Sequence, residues 1–247
     1  PFLLLDDFSS TDPADYRLGF PWHPHRDIET VTFILEGEVR HHDSIGNSGV
    51  IGPGEVQWMT AGSGVLHEEM PKSLPKLKGF QLWVNLPKDK KMTDPRYQGL
   101  TSKEIPDVKI GDMASAIVIA GSIDDIKGPI EEIMAMPLYI DVSLDRNANF
   151  EIPIPKGYNT FIYIHDGAVS HINDSGGEHS KGHILHFSME GDSVNLRSGA
   201  NGARFLLASG KPLGEPIAWY GPIVMNTEAE LEKAFYELKV GSFIKNN

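Results

Sequence analysis

Short runs of alternating polarity recur along almost the whole chain, and they limit the fold more than any other feature. Clear examples are residues 30–39 (TVTFILEGEV), 80–86 (FQLWVNL) and 160–169 (TFIYIHDGAV). Successive side chains of a strand point to opposite faces, so a period of two indicates half-buried β-strands. Glycine, proline and asparagine separate the runs, as in GNSG and IGPGE, and are typical of turns. Many short strands joined by turns predict an all-β sandwich or barrel.

One helix is predicted near the end of the sequence. Thr227 and Glu230 have the spacing of a capping box, in which each side chain bonds the backbone of the other residue. An apolar side follows at helical spacing, made of Ala229, Leu231, Ala234, Phe235 and Leu238. A shorter helical turn is expected in the polar stretch at residues 94–106, which is also the best candidate for a linker.

A short internal repeat predicts two domains of the same type. FILEGEV at residues 33–39 resembles YIHDGAV at residues 163–169, and each is an alternating strand that runs into an acidic-glycine turn. A length of 247 residues accommodates two domains of ordinary size. The predicted boundaries are a first barrel at residues 1–100, a linker at residues 101–109, and a second barrel at residues 110–247 that ends in the helix.

The composition excludes several classes of protein. A formal net charge of −12 repels a phosphate backbone, so direct nucleic-acid binding is not expected. No apolar run has the length needed to span a bilayer, and the opening PFLLLDDF is too short and too acidic for a signal peptide. Cysteine is absent, which excludes disulfides and thiolate ligands. We expect a monomer in the cytoplasm, or in the nucleus if the source is a eukaryote.

Two histidines separated by one proline form the centre of the sequence FPWHPHRDIE. His23 and His25 point to the same face if the strand is regular there. Taken alone, the pair is either metal-ligating or a polar strand rim. Extending the odd-numbered register places Val31 and Phe33 on the same face, so we expect the histidines, together with Glu29, to face the barrel interior.

A second pair with the same spacing lies in VLHEEMP. His67 and Glu69 point to one face of a strand, while Glu68 points away. Two strands that each offer two inward ligands would converge on one ion. Three neutral imidazoles and one carboxylate suit Fe(II), Mn(II), Ni(II), Cu(II) or Zn(II). Four ligands of an octahedron leave two positions for a substrate and O₂ or water.

These motifs resemble those of the pirin family, a branch of the cupins. The resemblance covers essentially the whole chain and is carried by GFPWHPHRDIETVTFILEGEV, HHDSIGNSGVIGPGEVQWMTAGSGVLHEEMP, GFQLWVNLP and GKPLGEPIAWYGPIVMNT. It implies an all-β bicupin fold. Two antiparallel jelly-roll barrels would face each other across a short helical linker, with a helix at the C-terminus.

The same resemblance implies one metal ion, usually iron, held in the first barrel by His23, His25, His67 and Glu69. It implies an activity similar to that of quercetin 2,3-dioxygenases, in which a planar flavonol reacts with O₂ and Glu69 accepts the substrate proton. A second hypothesis is a metal- and redox-sensing regulator that binds a protein partner, such as a transcription factor. A third is a structural bicupin with an empty site. The same ligands serve the first two hypotheses, so the ligand set does not separate them.

Four further side chains are expected near the metal. Glu29 occupies roughly the place of the carboxylate ligand in ordinary cupins, and either orients a ligand or pocket water or forms a salt bridge on its strand. Gln57 is expected to hydrogen-bond near the metal. Phe33 and Trp58 either line a pocket for a planar substrate or belong to the barrel core. Family members commonly have Arg-Gly-Phe-Glu where this chain has RDIE, ending at Glu29, so the pocket shape is expected to differ there.

The second barrel is not expected to hold the same ion. Aligning Gly37 with Gly167 carries His23 and His25 onto Pro153 and Pro155. Aligning Gly54 with Gly191, each in a glycine-acidic turn into a strand, carries His67 and Glu69 onto Arg204 and Leu206, and the four residues form no ligand set. The remaining histidines lack the paired pattern and are expected in loops or on the surface, with a local metal clip in EHSKGHILH as the alternative. In the second barrel they are His165, His171, His179, His183 and His186. In the first barrel, His41 and His42 flank a turn and are expected to face the solvent.

Overall fold

The structure is a computed structural model, and it describes residues 1–72, 75–130, 138–172 and 177–245. The chain divides into two compact units. The first unit consists of Phe2–Lys103 together with Leu213–Asn247, and the second unit consists of Glu104–Pro212. The expected boundaries placed everything after residue 110 in the second barrel. Instead, the chain returns to the first unit after Pro212.

The N-terminal segment of the first unit forms two antiparallel sheets. The larger has the strand order β1-β8-β3-β6-β9, and the smaller has the order β2-β7-β4-β5. Side chains of β3 and β8 contact those of β7, so the two sheets pack against each other. The elements are β1 (Phe2–Asp7), α1 (Pro13–Tyr16), β2 (Phe20–His25), β3 (Ile28–Glu36), β4 (Val39–Asp43), β5 (Ser48–Ile51), β6 (Val56–Thr60), β7 (Val65–Pro71), β8 (Lys78–Asn85) and β9 (Arg96–Leu100).

The polar stretch at residues 94–106 contains no helix, although residues 102–104 form a hydrogen-bonded turn. Its residues Arg96–Leu100 form β9, which pairs with β6 at the edge of the larger sheet. The sequence did not predict this strand, because pairing with β6 outweighs a weak local preference. A single 3₁₀ turn lies earlier, at Lys88–Lys90.

The odd-numbered register of HPH does not continue into β3. Asp27 lies between β2 and β3 with a φ of 65°, in the left-handed region that breaks the alternation of a strand. The two strands therefore belong to different sheets. On β3, Thr32 faces the histidine strands and bonds Glu69, whereas Val31 and Phe33 point to the opposite, fully buried face. The expectation that the odd positions share the face of the histidines was wrong.

The second unit is built around one large antiparallel sheet. Its strand order is β10-β11-β14-β19-β16-β17, with β15 pairing with β19 and β18 pairing with β16. Register shifts bend β16 where it pairs with the long β19. The elements are β10 (Asp107–Lys109), β11 (Ala114–Ala120), β12 (Ser122–Ile123), β13 (Ile126–Lys127), β14 (Leu138–Leu144), β15 (Asn149–Pro153), β16 (Asn159–His171), β17 (His179–Ser180), β18 (Ile184–Phe187) and β19 (Ser193–Gly210).

The C-terminal segment of the first unit contains the hairpin of β20 (Ala218–Tyr220) and β21 (Ile223–Met225), followed by α2 (Glu228–Lys239). The predicted capping box is confirmed at the start of α2. One face of this helix packs with the hairpin and with Leu66 of β7, through Leu231 and Ala234. None of the helices in the described ranges has both the length and the apolar character needed to cross a membrane.

Removal of the helix cap is expected to weaken the first unit measurably. A Thr227→Ala variant should unfold with a free energy about 1 kcal/mol lower, because the amide of Glu230 loses its side-chain acceptor. All 4 tryptophans lie in the first unit, so tryptophan fluorescence during urea unfolding measures its stability. Thr11→Ala, at an exposed position, is the matched control and should change little.

Candidate metal centre

Three histidines converge at the pairing of β2 with β7. His23 lies directly opposite His67 in the antiparallel register, and His25 follows two residues later on the same face of β2. Their ligand nitrogens all lie within 4.8 Å of one another. The Nε2 atoms of His23 and His25 are 3.0 Å apart. The predicted convergence of these three side chains is therefore seen in the structure.

Burial keeps the imidazoles of His25 and His67 neutral. The side chains of His25 and His67 are almost completely buried, at 1% exposure each. Burial, with repulsion from His23, lowers the pKa of His67 to about 3. Burial also lowers the pKa of His25 well below its usual range, with repulsion from His67 and His23 as smaller causes. Neutral imidazole is the form that binds a metal ion.

Backbone carbonyls orient two of the rings for ligation. Nδ1 of His23 lies 2.9 Å from the carbonyl oxygen of Pro21, and Nδ1 of His25 lies 3.0 Å from that of Pro222. A proton on each Nδ1 leaves the Nε2 lone pairs directed at the cluster. Within the described part of the chain, neither ring nitrogen of the buried His67 has a hydrogen-bond partner. Such buried nitrogens fit a metal ion that completes their bonding.

Glu69 lies two residues beyond His67 on β7, but it is not a member of the three-histidine group. Its carboxylate is buried and is held by two donors. Thr32 Oγ1 donates to Oε1 at 3.0 Å, and Gln81 Nε2 donates to Oε2 at 2.7 Å. A carboxylate has about four lone-pair positions, so these bonds leave room for a metal. The assignment of Glu69 as the fourth ligand stays a prediction.

A cavity of about 640 Å³ opens beside the histidines. Aromatic side chains make up much of its wall, and the indole of Trp83 contacts the ring of His25 with centroids 4.9 Å apart. Trp219 packs in turn against Trp83 at 6.1 Å. The lining residues are Leu4, Leu5, Asp6, Gly19, Phe20, Pro21, Trp22, His23, His25, Glu69, Gln81, Trp83 and Pro222.

The four side chains expected near the metal do not line this cavity. Phe33 and Trp58 are buried on the opposite face of the larger sheet. Glu29 is on that face too, where it accepts a hydrogen bond from Thr60 Oγ1 at 2.7 Å, and burial raises its pKa. Gln57 is paired with Thr32 across β3 and β6, but it lines a separate small cavity.

The sequence analysis missed several residues of the cavity wall. Asp6 and Gln81 lie on β1 and β8, which are far apart in sequence but paired in the sheet. Gln81 bonds Glu69, and its amide oxygen accepts a hydrogen bond from Trp83 Nε1 at 2.8 Å. Phe20 and Trp22 flank the HPH motif, and their proximity in sequence could have indicated a role.

His41 does not face the solvent, contrary to the prediction. It lies opposite Glu69 in the pairing of β4 with β7, is half-buried, and stacks on Tyr97 with ring centroids 6.1 Å apart. The register with β7 turns this side chain inward, which the sequence near the turn did not indicate. His42 is exposed as expected, and its ring meets the edge of Trp22.

In the second unit, the expectation of loop or surface histidines was wrong for His165. This residue lies in β16 and is buried, with Nε2 2.8 Å from Asp141 Oδ1. Arg204 donates from Nε to Asp141 Oδ2 at 3.0 Å. The internal position of β16 between β18 and β19 explains the burial. Among the described residues, the one group of side chains placed closely enough to bind a metal ion is that of His23, His25 and His67 in the first unit.

The fold and the site together define a bicupin with a candidate metal centre in its first unit. The pirin family model matches residues 1–84, and the model of the pirin C-terminal cupin domain matches residues 139–244. The chain belongs to the pirin family.

Two relatives support this assignment over nearly the full length of the chain, and a third supports the fold. Human pirin is 42% identical over 241 residues, covering 97% of this chain and 81% of the relative. A crystal structure of quercetin 2,3-dioxygenase from Acinetobacter baumannii is 38% identical, with a TM-score of 0.88, and covers 98% of this chain and 86% of that one. A pirin from Escherichia coli in complex with nickel(II) shares the fold, with 24% identity, a TM-score of 0.59, and coverage of 78% and 77%.

Proposed function

We propose that this protein is a metal-dependent dioxygenase of the pirin type that cleaves flavonols such as quercetin with O₂. The observation that carries the proposal is the cavity of about 640 Å³ beside three converging histidines. Small-molecule sites span roughly 300–1,000 Å³, so a planar three-ring compound fits this volume. The name of the Acinetobacter baumannii relative supports the same substrate class.

The residues proposed to hold the ion are His23, His25, His67 and Glu69. The proposed ion is Fe(II), while nickel, manganese, copper and zinc are compatible with the same nitrogen and oxygen donors. When bound, such an ion would supply Lewis-acid chemistry that lowers the pKa of a substrate hydroxyl, and iron would add redox chemistry with O₂.

The chain's own residues would bind and orient the substrate. Trp83, Phe20 and Trp22 offer aromatic surface to a planar ring system and exclude water from it. The amide of Gln81 bonds both Trp83 and Glu69, so the position of the Trp83 indole is fixed relative to the Glu69 carboxylate. Glu69 is the proton acceptor that the family resemblance assigns.

Metal-loaded protein is therefore expected to consume quercetin only in the presence of O₂. The expected products are the ring-opened ester and one CO per quercetin. The measurement is the loss of quercetin absorbance together with CO release, for protein loaded in turn with Fe(II) and the other candidate metals. Chelated protein and an anaerobic sample are the controls. Protein that retains one ion per chain but leaves quercetin intact with every metal would contradict the proposed substrate.

A second candidate function is the metal-dependent regulation of a protein partner. The observation that favours it is a group of exposed apolar side chains, Leu18, Phe20 and Trp22, of which the last two also line the cavity. Large apolar side chains clustered at a surface are typical of contact sites. If the iron valence changes this surface, Fe(II) and Fe(III) forms should differ in partner affinity while neither consumes quercetin.

A further inference from the structure

Asp6 places a second carboxylate on the wall of the cavity. In the antiparallel pairing of β1 with β8, Asp6 lies opposite Gln81, and Leu4 lies opposite Trp83. Directly paired residues project to the same face of a sheet. The carboxylate of Asp6 is therefore on the face of Gln81 and Trp83, and all four residues line the cavity beside His23.

Within the described part of the chain, no group donates a hydrogen bond to the carboxylate of Asp6, whereas hydrogen bonds link Glu69, Gln81 and Trp83. Thr32 and Gln81 both donate hydrogen bonds to the carboxylate of Glu69. Both amide protons of Gln81 are used, towards Glu69 and Thr32, and its oxygen accepts from Trp83. The half-buried Asp6 therefore has its acceptor capacity available to whatever fills the cavity.

The protein groups around Asp6 favour its protonated form. Partial burial, followed by the negative charges of Asp7 and Glu69, raises its pKa. The other titratable side chains that line the cavity are His23 and His25 on β2 and Glu69 on β7. The lining residues of β8, Gln81 and Trp83, are uncharged. No lysine or arginine is among the residues that line the cavity.

We propose that Asp6 is a second catalytic residue of this site, the base that takes the proton from the hydroxyl of a planar phenol or enol bound beside His23 and His25. This inference rests on the proposed function and gives Asp6 the proton-accepting role otherwise assigned to Glu69. The O–H bond of the substrate breaks, the proton moves to an oxygen of Asp6, and the electron pair stays on the substrate oxygen. Glu69 remains bonded to Thr32 and Gln81 throughout.

The test uses the full chain loaded with zinc, which has no redox chemistry, without O₂ and with 3-hydroxyflavone as the probe. The anion of this compound absorbs at longer wavelength than the neutral form, and proton release is followed with an indicator in weak buffer. Wild-type protein should bind the anion with almost no proton released, because Asp6 retains the proton. The Asp6→Asn variant should release about one proton to the solvent for each anion it binds. In a separate assay with Fe(II)-loaded protein, the same variant should turn over quercetin about 100-fold more slowly than the wild type, or slower still.

Two variants control the experiment. Asp7→Asn removes the same charge from the next residue of β1, which points to the other face, and should behave as the wild type. Asp6→Glu keeps a carboxylate and should again bind the anion without proton release, which also covers the case of an Asp6→Asn protein that does not fold. Equal zinc content in each variant confirms an intact metal centre.

Two results would overturn the assignment of Asp6. One is an Asp6→Asn protein with the same ionised fraction and proton count as the wild type. The other is a wild-type protein that does not bind 3-hydroxyflavone as the anion. If the wild type ionises the probe but does not consume quercetin with any metal, the dioxygenase proposal fails alone, and the comparison of variants still decides the role of Asp6.

Discussion

A His23→Ala variant is expected to lose most of its affinity for the metal, by at least about 100-fold. Substitution of groups that only support a ligand already costs about 10- to 100-fold in affinity, and removal of a ligand should cost at least as much. Without His23, the group of mutually close nitrogens shrinks from three histidines to two. Because His23 is only half-buried, its truncation should leave the barrel folded, so that lost metal can be attributed to the lost ligand.

The measurement is the metal content of protein purified without added metal, followed by titration against a chelator of known affinity. His186→Ala is the matched control, since it removes an exposed histidine in the second unit. If His23→Ala and wild-type protein hold equal metal, the assignment of the ligands is wrong. If untreated wild-type protein holds none and binds none, the hypothesis of a structural bicupin with an empty site is favoured.

Local sequence patterns predicted the elements of this fold well because the forces that form them are local. Alternation identified strands such as β16, where one face is buried and a shift by one residue would expose it, and also β3 and β8, which are buried on both faces over most of their length. The capping box identified the start of α2 from Thr227 and Glu230 alone. The three histidines could also be paired in advance, since HxH and HxE place their side chains on one face of each strand.

The faces of the larger sheet were assigned incorrectly for a specific reason. The odd-numbered register was extended from His25 to Phe33 as if the chain ran straight. One residue, Asp27, has a positive φ and ends the alternation between them. Asparagine and aspartate are the non-glycine residues that most often adopt this conformation, but the sequence RDIE does not mark the position as a break. As a result, the sequence analysis placed Glu29 and Phe33 on the metal side of the sheet, whereas in the structure both lie on the core side.

The cavity wall depended on contacts that no local pattern contains. Asp6 meets Gln81 because β1 pairs with β8 in a particular register. Pro222 reaches His25 because the segment after Pro212 returns to the first unit. A repeat-based division of the chain could not indicate this return, since the segment lies outside the repeated strands. Long-range pairing and chain return therefore determined the part of the site that the sequence did not predict.

One buried arginine bonds the returning C-terminal segment, and an Arg26→Met variant is expected to destabilise the first unit by about 3–5 kcal/mol. The guanidinium of Arg26 is only 2% exposed and donates to three acceptors in different parts of the unit. They are the carbonyl oxygen of Ser63 at 2.8 Å, Glu237 Oε2 in α2 at 2.8 Å, and the carbonyl oxygen of Phe243 at 2.6 Å. It also lies 4.0 Å from the centre of the Phe243 ring.

Methionine would fill much of the space of Arg26 but donate none of these bonds, so two buried carbonyl groups would lose a donor. Glu237 would keep Lys245, which places the expected effect at the weaker end of the range. Urea unfolding followed by tryptophan fluorescence measures the first unit directly, and faster proteolysis after α2 would locate the weakened contact. Arg40→Met, at an exposed position on β4, should change the free energy of unfolding by less than about 0.5 kcal/mol. Equal stability of the Arg26 and Arg40 variants would mean that the apolar contacts of α2 with the β20–β21 hairpin, and not the arginine, hold the C-terminal segment in place.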